Sequence, residues 1–316
     1  MSLRIGVIGA GHFGKYHINA IKQLSNVELV GFYDIDPLVQ ATVSKQYNIK
    51  SYSSYEAILQ DVDIVDIVTP TVTHYECAIE AIRQQKHVFI EKPVCHSVET
   101  AEKLMQLAYE AGIKVQVGHI ERFNPAFLAV ENLITRPMFI EAQRLQPYTE
   151  RSLDVSVVLN LMIHDLDIIL HIVNSNIKKI SASGATVATQ LPDVANARIE
   201  FENGCVAHIT ASRISVDNLR TIKIFQRENA ITIDFLNKKS EIIYAKLNEN
   251  PSQSLSYIEL RSERPSVITN NAILDELKAF IQAIENNTTP IVTLEHAHYA
   301  LKIAFEILEK VKFSFE

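Results

Sequence analysis

The chain has 316 residues, 47% of them hydrophobic and 21% charged, with a formal net charge of −7. That length is expected to divide into two domains rather than one larger core, and the acidic balance argues against a nucleic-acid or anionic-membrane surface. Cys77, Cys95 and Cys205 are dispersed, with no metal-ligand spacing, and read as reduced buried thiols of a cytoplasmic protein with no metal centre. The N-terminus is expected to carry no signal peptide, and no apolar stretch approaches the length of a membrane span.

Leu3 to Ile8 is a short apolar run that predicts a buried strand. It leads into Gly9-Ala10-Gly11-His12-Phe13-Gly14, then apolar residues at helical spacing over Tyr16 to Leu24, then a second strand over Val27 to Tyr33. Asp34 ends that strand, twenty positions beyond Gly14. The first glycine permits the tight turn, the second lets backbone approach a pyrophosphate, and the third lets helix pack close on strand. The free N–H groups at the helix start face the phosphates, and Asp34 is placed to accept hydrogen bonds from a ribose. Strand, turn, helix and acid together predict a dinucleotide site. A 2′-phosphate about 4 Å from the Asp34 carboxylate would cost about 4 kcal/mol per charge pair at an effective dielectric near 20. No arginine stands at 35 or 36 to compensate, so NAD is favoured over NADP.

Pro37 opens a helix through about Tyr47, and a short helix over Tyr55 to Leu59 precedes the strand Ile64 to Val68. Thr69-Pro70 stops that strand, and Thr73 is expected to cap a helix from His74 to Gln84. His87 to Ile90 is the next strand, closing at Glu91-Lys92-Pro93; Ser97 caps a helix that runs to Gly112, and Lys114 to Val117 is a strand ending at Gly118-His119. Strands alternating with helices, several apolar on both faces, predict an N-terminal doubly wound parallel sheet of the α/β class. The glycine turn, Asp34, Thr69-Pro70, Glu91-Lys92-Pro93 and Gly118-His119 then gather at its carboxyl edge, where such sheets bind ligands. Lys92, displayed from a stiff strand end, can polarise or protonate a substrate oxygen.

Asn124 and Pro125 begin a helix to about Ile134, and Phe139 to Leu145 is a strand. Val157 to Val173 predicts a helix apolar almost throughout, on which Asn160, His164, Asp167 and His171 recur at intervals of four, three and four and so share one face. A narrow polar stripe without lysine, arginine or glutamate is expected to line a site, with His164 as general base or acid. Seven strands follow, beginning near 180, 195, 205, 221, 230, 241 and 257, with Asn203-Gly204 as a hairpin turn. Without intervening helices they predict a mostly antiparallel open sheet. Two amphipathic helices, Ile273 to Glu285 and Glu295 to Phe313, close the chain. The expected division is 1–121, binding NAD, and 122–316, an α+β domain for substrate and oligomerisation.

Gly9-x-Gly11-x-x-Gly14, Thr69-Pro70-x-x-x-His74, Glu91-Lys92-Pro93 and Ile163-His164-x-x-Asp167 resemble the glucose–fructose oxidoreductase / inositol dehydrogenase / rhizopine catabolism (Gfo/Idh/MocA) family. The resemblance implies hydride transfer at a sugar or polyol carbinol, catalysed by Lys92, His164, Asn160 and Asp167. It adds His12, Phe13, Thr69, Pro70, His74, Glu91 and Lys92 to the cofactor side, and it implies a homodimer or homotetramer. Asn160 departs from the family's usual aspartate; it can orient the imidazole but brings no negative charge, so Lys92 is expected to carry more of the proton transfer unless Asp165 or Asp167 supplies the charge. Gly118 to Pro125 and Arg144 to Asp167 further resemble the subgroup of UDP-N-acetylglucosamine 3-dehydrogenases, which implies a 3-keto product for a partner aminotransferase of lipid A biosynthesis. A diphosphate-bearing substrate calls for cations, and Arg122, Arg144 and Arg151, with Asn124 and His164, are expected to contact it. Another sugar, an inositol, a sugar acid, or a non-catalytic NAD-binding regulator remain the rival expectations.

Overall fold

The computed structural model describes residues 2–150, 155–247 and 258–312. It divides into two compact units, one formed by the chain up to Ile120 with Asn271–Leu301, the other by Glu121–Asn270 with the residues from Lys302 onward.

In the first unit β1 (Leu3–Ile8), β2 (Val27–Tyr33), β3 (Ile64–Ile67), β4 (His87–Glu91) and β5 (Val115–Gly118) pair in the order β2-β1-β3-β4-β5. Every pairing is parallel. β3 and β5 are buried along their whole length, as a sheet covered by helices on both faces requires. The chain steps one way from β1 to β2 and the other way to β3, so the crevice that binds ligands in such sheets opens at the carboxyl ends of β1 and β3.

The helices obey local rules. α1 (His12–Ile21) starts on Gly11 without a side-chain cap. α2 (Pro37–Tyr47) has proline in its first turn and Asp36 as a cap that accepts from the Leu38 N–H. Ser54 caps α3 (Tyr55–Leu59). Thr73 does not cap α4 (His74–Arg83) as expected. The chain makes a 3₁₀ turn over Thr71–Thr73, and the Thr73 hydroxyl donates back to Thr69 Oγ1 and Pro70 O, both at 2.9 Å. Ser97 caps α5 (Val98–Ala111) through the Thr100 N–H, and Gly112 ends it in the left-handed conformation.

The second unit opens with α6 (Pro125–Leu128), which is shorter than expected, and a 3₁₀ turn over Glu131–Leu133. Its sheet contains β6 (Phe139–Leu145), β7 (Ile177–Ala185), β8 (Val194–Phe201), β9 (Val206–Ser212), β10 (Leu219–Phe225), β11 (Asn229–Asp234), β12 (Lys239–Leu247) and β13 (Ile258–Glu263). The order is β13-β12-β11-β10-β6-β9-β8-β7. Only β6 and β9 run parallel among its pairs. Ala195, Ala197, Ile199 and Phe201 alternate inward along β8. They pack with Ile140, Ile209, Ile222 and Ile231 against Phe127, Leu166 and Ile169. The long apolar segment before β7 is not one uniform helix: Val158–Met162 is a π-helical turn, continued by α7 (Ile163–Val173).

The sequence places everything from 122 onward in the second domain, and the structure corrects this. α8 (Ala272–Glu285) returns to the first unit because its stripe of Leu277, Phe280 and Ile281 is apolar and fully buried with Ile5, Ile18 and Phe89. The Phe280 and Phe89 rings lie 6.0 Å apart. α9 (Leu294–Lys312) begins in the first unit and supplies Ile303, Ala304 and Ile307 to the core of the second. Among the described residues no helix is long and apolar enough to cross a membrane. Phe280→Ala should cost about 3–5 kcal/mol, read as a lower midpoint in chemical denaturation. An unchanged midpoint would mean that the returning helix contributes nothing to the first unit.

Candidate active site

The glycine turn meets the demands of a dinucleotide cradle one position at a time. Gly9 has φ +90°, and a Cβ there would fall 2.7 Å from the Val68 carbonyl oxygen. A Cβ on Gly14 would fall 2.0 Å from the Gly9 carbonyl oxygen, so α1 can begin flush against the turn only without one. At Gly11 a Cβ would meet nothing within 4 Å, which leaves open space beside the first N–H groups of α1. No acidic residue stands in that first helical turn to oppose an anion. His12 and Phe13 are exposed there, their rings in edge contact with one another and with Tyr16. Asp34 Oδ2 accepts from the Ala10 N–H at 2.7 Å and Oδ1 from the Asp36 N–H at 2.9 Å, so the acid fixes the turn and lies at the end of β2. Ile35, 87% exposed after β2, and Val72, 68% exposed after β3, offer apolar surface on either side of β1 for a flat ring such as adenine. The first unit therefore fits a nicotinamide dinucleotide.

Thr69 and Pro70 lie at the mouth of β3, and Pro70 is exposed. His74 does not. It is buried, with Nδ1 2.9 Å from Pro93 O and Nε2 2.9 Å from Thr69 O. Its place is behind the expected cofactor surface, where it ties the end of β3 to the end of β4; burial holds its pKa below the ordinary histidine value. Glu91 likewise turns inward, with Oε1 3.3 Å from His17 Nε2. A Cβ on Gly118 would come within 2.6 Å of that same oxygen. Lys92 is half-buried, and its backbone N–H donates to Glu91 Oε2 at 3.1 Å.

In the second unit the polar stripe divides three ways. Asn160 falls in the π-helical turn and His164 near the start of α7, both half-buried. Asp167 is 2% exposed and gripped bidentately by Arg122, Nε to Oδ2 at 2.7 Å and one terminal N–H to Oδ1 at 3.1 Å. His171 is at the surface, 2.9 Å from Glu131 Oε1.

Arg144 is 3% exposed and donates to Asp165 Oδ1 at 2.8 and 3.1 Å and to Glu121 Oε1 at 2.8 Å. Burial opposes its charge, but Asp165 and Glu121 outweigh that and raise its pKa; burial also raises that of Asp165. The expectation that Arg122 and Arg144 hold a substrate diphosphate is thus corrected: both are buried and committed to carboxylates. Asp165 and Asp167, expected as alternative sources of charge for the imidazole, are the acids those two guanidiniums hold. Asn124 is also structural. Its oxygen caps α6 through the Ala126 N–H, and its amide donates to Glu121 and to Phe235 O. Arg151 lies outside the described residues.

Two sets of residues escaped the sequence reading. His17, Asp66 and Glu276 join Glu91 in the interior of the first unit; the signal for Asp66 was an acid inside an otherwise apolar strand. Arg220 lies opposite Arg144 in the β10–β6 register, half-buried on the same sheet face, with its pKa lowered by burial and by Arg144.

Residues 3–119 match the family described as "Oxidoreductase family, NAD-binding Rossmann fold", and residues 129–232 match the GFO/IDH/MocA C-terminal domain. The chain is 33% identical over 283 residues to UDP-N-acetylglucosamine 3-dehydrogenase of Acidithiobacillus ferrooxidans, covering 89% of this chain and 88% of the relative. A solved structure of the Acidithiobacillus ferrooxidans protein superimposes with a TM-score of 0.92 at 30% identity, covering 100% of both chains. The chain is also similar to scyllo-inositol 2-dehydrogenase (NAD(+)) of Bacillus subtilis, 29% identical over 314 residues, covering 92% of this chain and 89% of the relative. The chain belongs to the Gfo/Idh/MocA oxidoreductase family. It is an NAD(P)-binding dehydrogenase of the kind that acts on CH–OH groups.

Replacing Arg122 by leucine removes the bidentate partner of the buried Asp167 carboxylate and should cost about 3–5 kcal/mol. The double replacement R122L/D167L should recover most of that loss in denaturation. A single replacement that left stability intact while raising KM would restore Arg122 to the substrate.

Proposed function

We propose that this chain oxidises the C3 hydroxyl of UDP-N-acetylglucosamine to a ketone, with NAD as acceptor. The observation that carries this reading is the likeness over the full chain to a solved UDP-N-acetylglucosamine 3-dehydrogenase. The Asp34 carboxylate at the end of β2 favours NAD, since a 2′-phosphate there would meet like charge. When bound, NAD supplies the acceptor for the hydride leaving the carbinol carbon.

The chain's own residues handle position and protons. Lys92 and His164 are the groups proposed to take the hydroxyl proton, and Asn160 the group that orients the imidazole. Thr69 and Pro70, at the end of β3, bound the nicotinamide end of the cradle. Arg220 is proposed to meet the substrate diphosphate, in place of Arg122 and Arg144, because among the described residues no carboxylate pairs with its guanidinium. A 3-keto product suits an aminotransferase as the next enzyme, and a cytoplasmic homodimer or homotetramer fits the reading.

Purified protein with NAD should reduce the cofactor when given UDP-N-acetylglucosamine and not with free inositols; turnover of an inositol alone would overturn the substrate. Lys92→Met and His164→Ala should each lower kcat by at least about a hundredfold, while NAD still raises the melting temperature. Arg220→Ala should raise KM for the nucleotide sugar on the order of tenfold, about 1.4 kcal/mol. Asp34→Ala should raise the kcat/KM ratio of NADP to NAD. A ratio unchanged by that replacement would remove the argument for NAD.

A further inference from the structure

Four titratable side chains meet inside the first unit, below the end of β4. His17 comes from α1, Asp66 from β3, Glu91 from β4 and Glu276 from α8. His17, Asp66 and Glu276 are wholly buried. The His17 ring stands between two acids, with Nδ1 2.9 Å from Asp66 Oδ2 and Nε2 3.3 Å from Glu91 Oε1. A carboxylate oxygen of Glu276 lies within 4.8 Å of both a His17 ring nitrogen and a Glu91 oxygen.

Three carboxylates against one imidazolium would leave two uncompensated negative charges in an interior, which is unfavourable. At least one proton must stay. The donors decide where. Ionised Asp66 and Glu91 each face a ring nitrogen, Asp66 in a hydrogen bond with Nδ1 and Glu91 at ion-pair distance from Nε2, and a ring between two acids is best stabilised as imidazolium. Glu91 also accepts from the Lys92 N–H. Among the described residues neither carboxyl oxygen of Glu276 has a hydrogen-bond partner; its backbone carbonyl accepts from the Gln116 amide at 2.8 Å. Nothing there stabilises the anion.

We propose that Glu276 is held as the neutral acid, and that with His17 and Asp66 it forms a positioning network that keeps Glu91 ionised beneath the strand end displaying Lys92. The pKa directions agree. Burial opposes a charged His17, yet Asp66 and Glu91 raise it well above the histidine range. Burial, and then the Glu91 charge, raise Glu276 well above the carboxylate range. Burial raises Asp66 despite its imidazole partner, whereas at Glu91 His17 overcomes burial and lowers the value. The other titratable groups that face Glu91 are Lys92 on its own strand end, whose charge also lowers Glu91, and His74 on α4; even with Lys92 counted as a cation one excess negative charge remains, so a proton must still stay. The inference rests on the proposed role of Lys92 only where it concerns catalysis.

Two measurements test it. Infrared or carbon-13 spectroscopy of the whole protein near neutral pH should show one carboxylic-acid carbonyl that Glu276→Gln removes; its absence, or its survival in E276Q, would overturn the assignment. So would a metal ion bound stoichiometrically and lost in E276Q, since a cation would then replace the proton. In the second measurement, the rising limb of kcat/KM against pH should stay in place for E276Q, because glutamine and a protonated glutamate carry the same charge. For Glu91→Gln it should move down by about one pH unit, because an anion favouring the Lys92 ammonium is gone. A limb that moves in E276Q, or stays put in E91Q, would sink the positioning role. If Lys92→Met keeps full turnover, the catalytic reading of Lys92 fails while the spectroscopic result stands by itself.

Discussion

The first unit depends on a missing Cβ. With any side chain at position 14, a carbon would sit 2.0 Å from the Gly9 carbonyl oxygen, and α1 would have to lift off the turn. With glycine there, the helix starts at the turn and leaves its opening N–H groups for an anion. The same turn holds its neighbours. Gly9 presses on the end of β3 at Val68, and Ala10 donates to Asp34 at the end of β2. His74 then links the end of β3 to that of β4, and Glu91 fills the space that Gly118 leaves at the end of β5. Each neighbouring pair in β2-β1-β3-β4-β5 is thus fastened at its carboxyl edge. The ligand edge of this sheet is also its most tightly specified edge, which is what a cofactor that must be placed to a fraction of an ångström requires.

Local requirements are what a sequence shows. The glycine turn, the Pro37 helix start, the Ser97 cap, the apolar strands and the Asn203-Gly204 hairpin are each set within a few residues, and each was legible. Long-range pairing was not. The apolar stripe of α8 reads as core, but nothing in its residues says whose core, and it packs on strands more than 180 positions earlier in the chain. The α7 stripe shows the same limit at Asp167. Periodicity put Asp167 beside His164, but it could not show that Arg122, 45 positions away, would grip Asp167 in the interior. At Asp167 the partner is a protein guanidinium.

That substitution of partners bears on how a nucleotide sugar could be held. Arg122 is matched by Asp167, but the Glu121–Arg144–Asp165 group sets two carboxylates against one guanidinium. Left alone it would bury one excess negative charge, which an interior tolerates poorly. Arg220 is a neighbouring cation on the same sheet face, and among the described residues it offsets the group's charge without a direct ion pair. An anionic ligand that drew Arg220 to itself would return the excess charge to the buried acids. Burial already raises the Asp165 pKa despite its hold on Arg144. If Arg220 meets the diphosphate as proposed, charge balance would couple binding there to the Glu121–Arg144–Asp165 group, through a buried guanidinium that is itself committed to carboxylates.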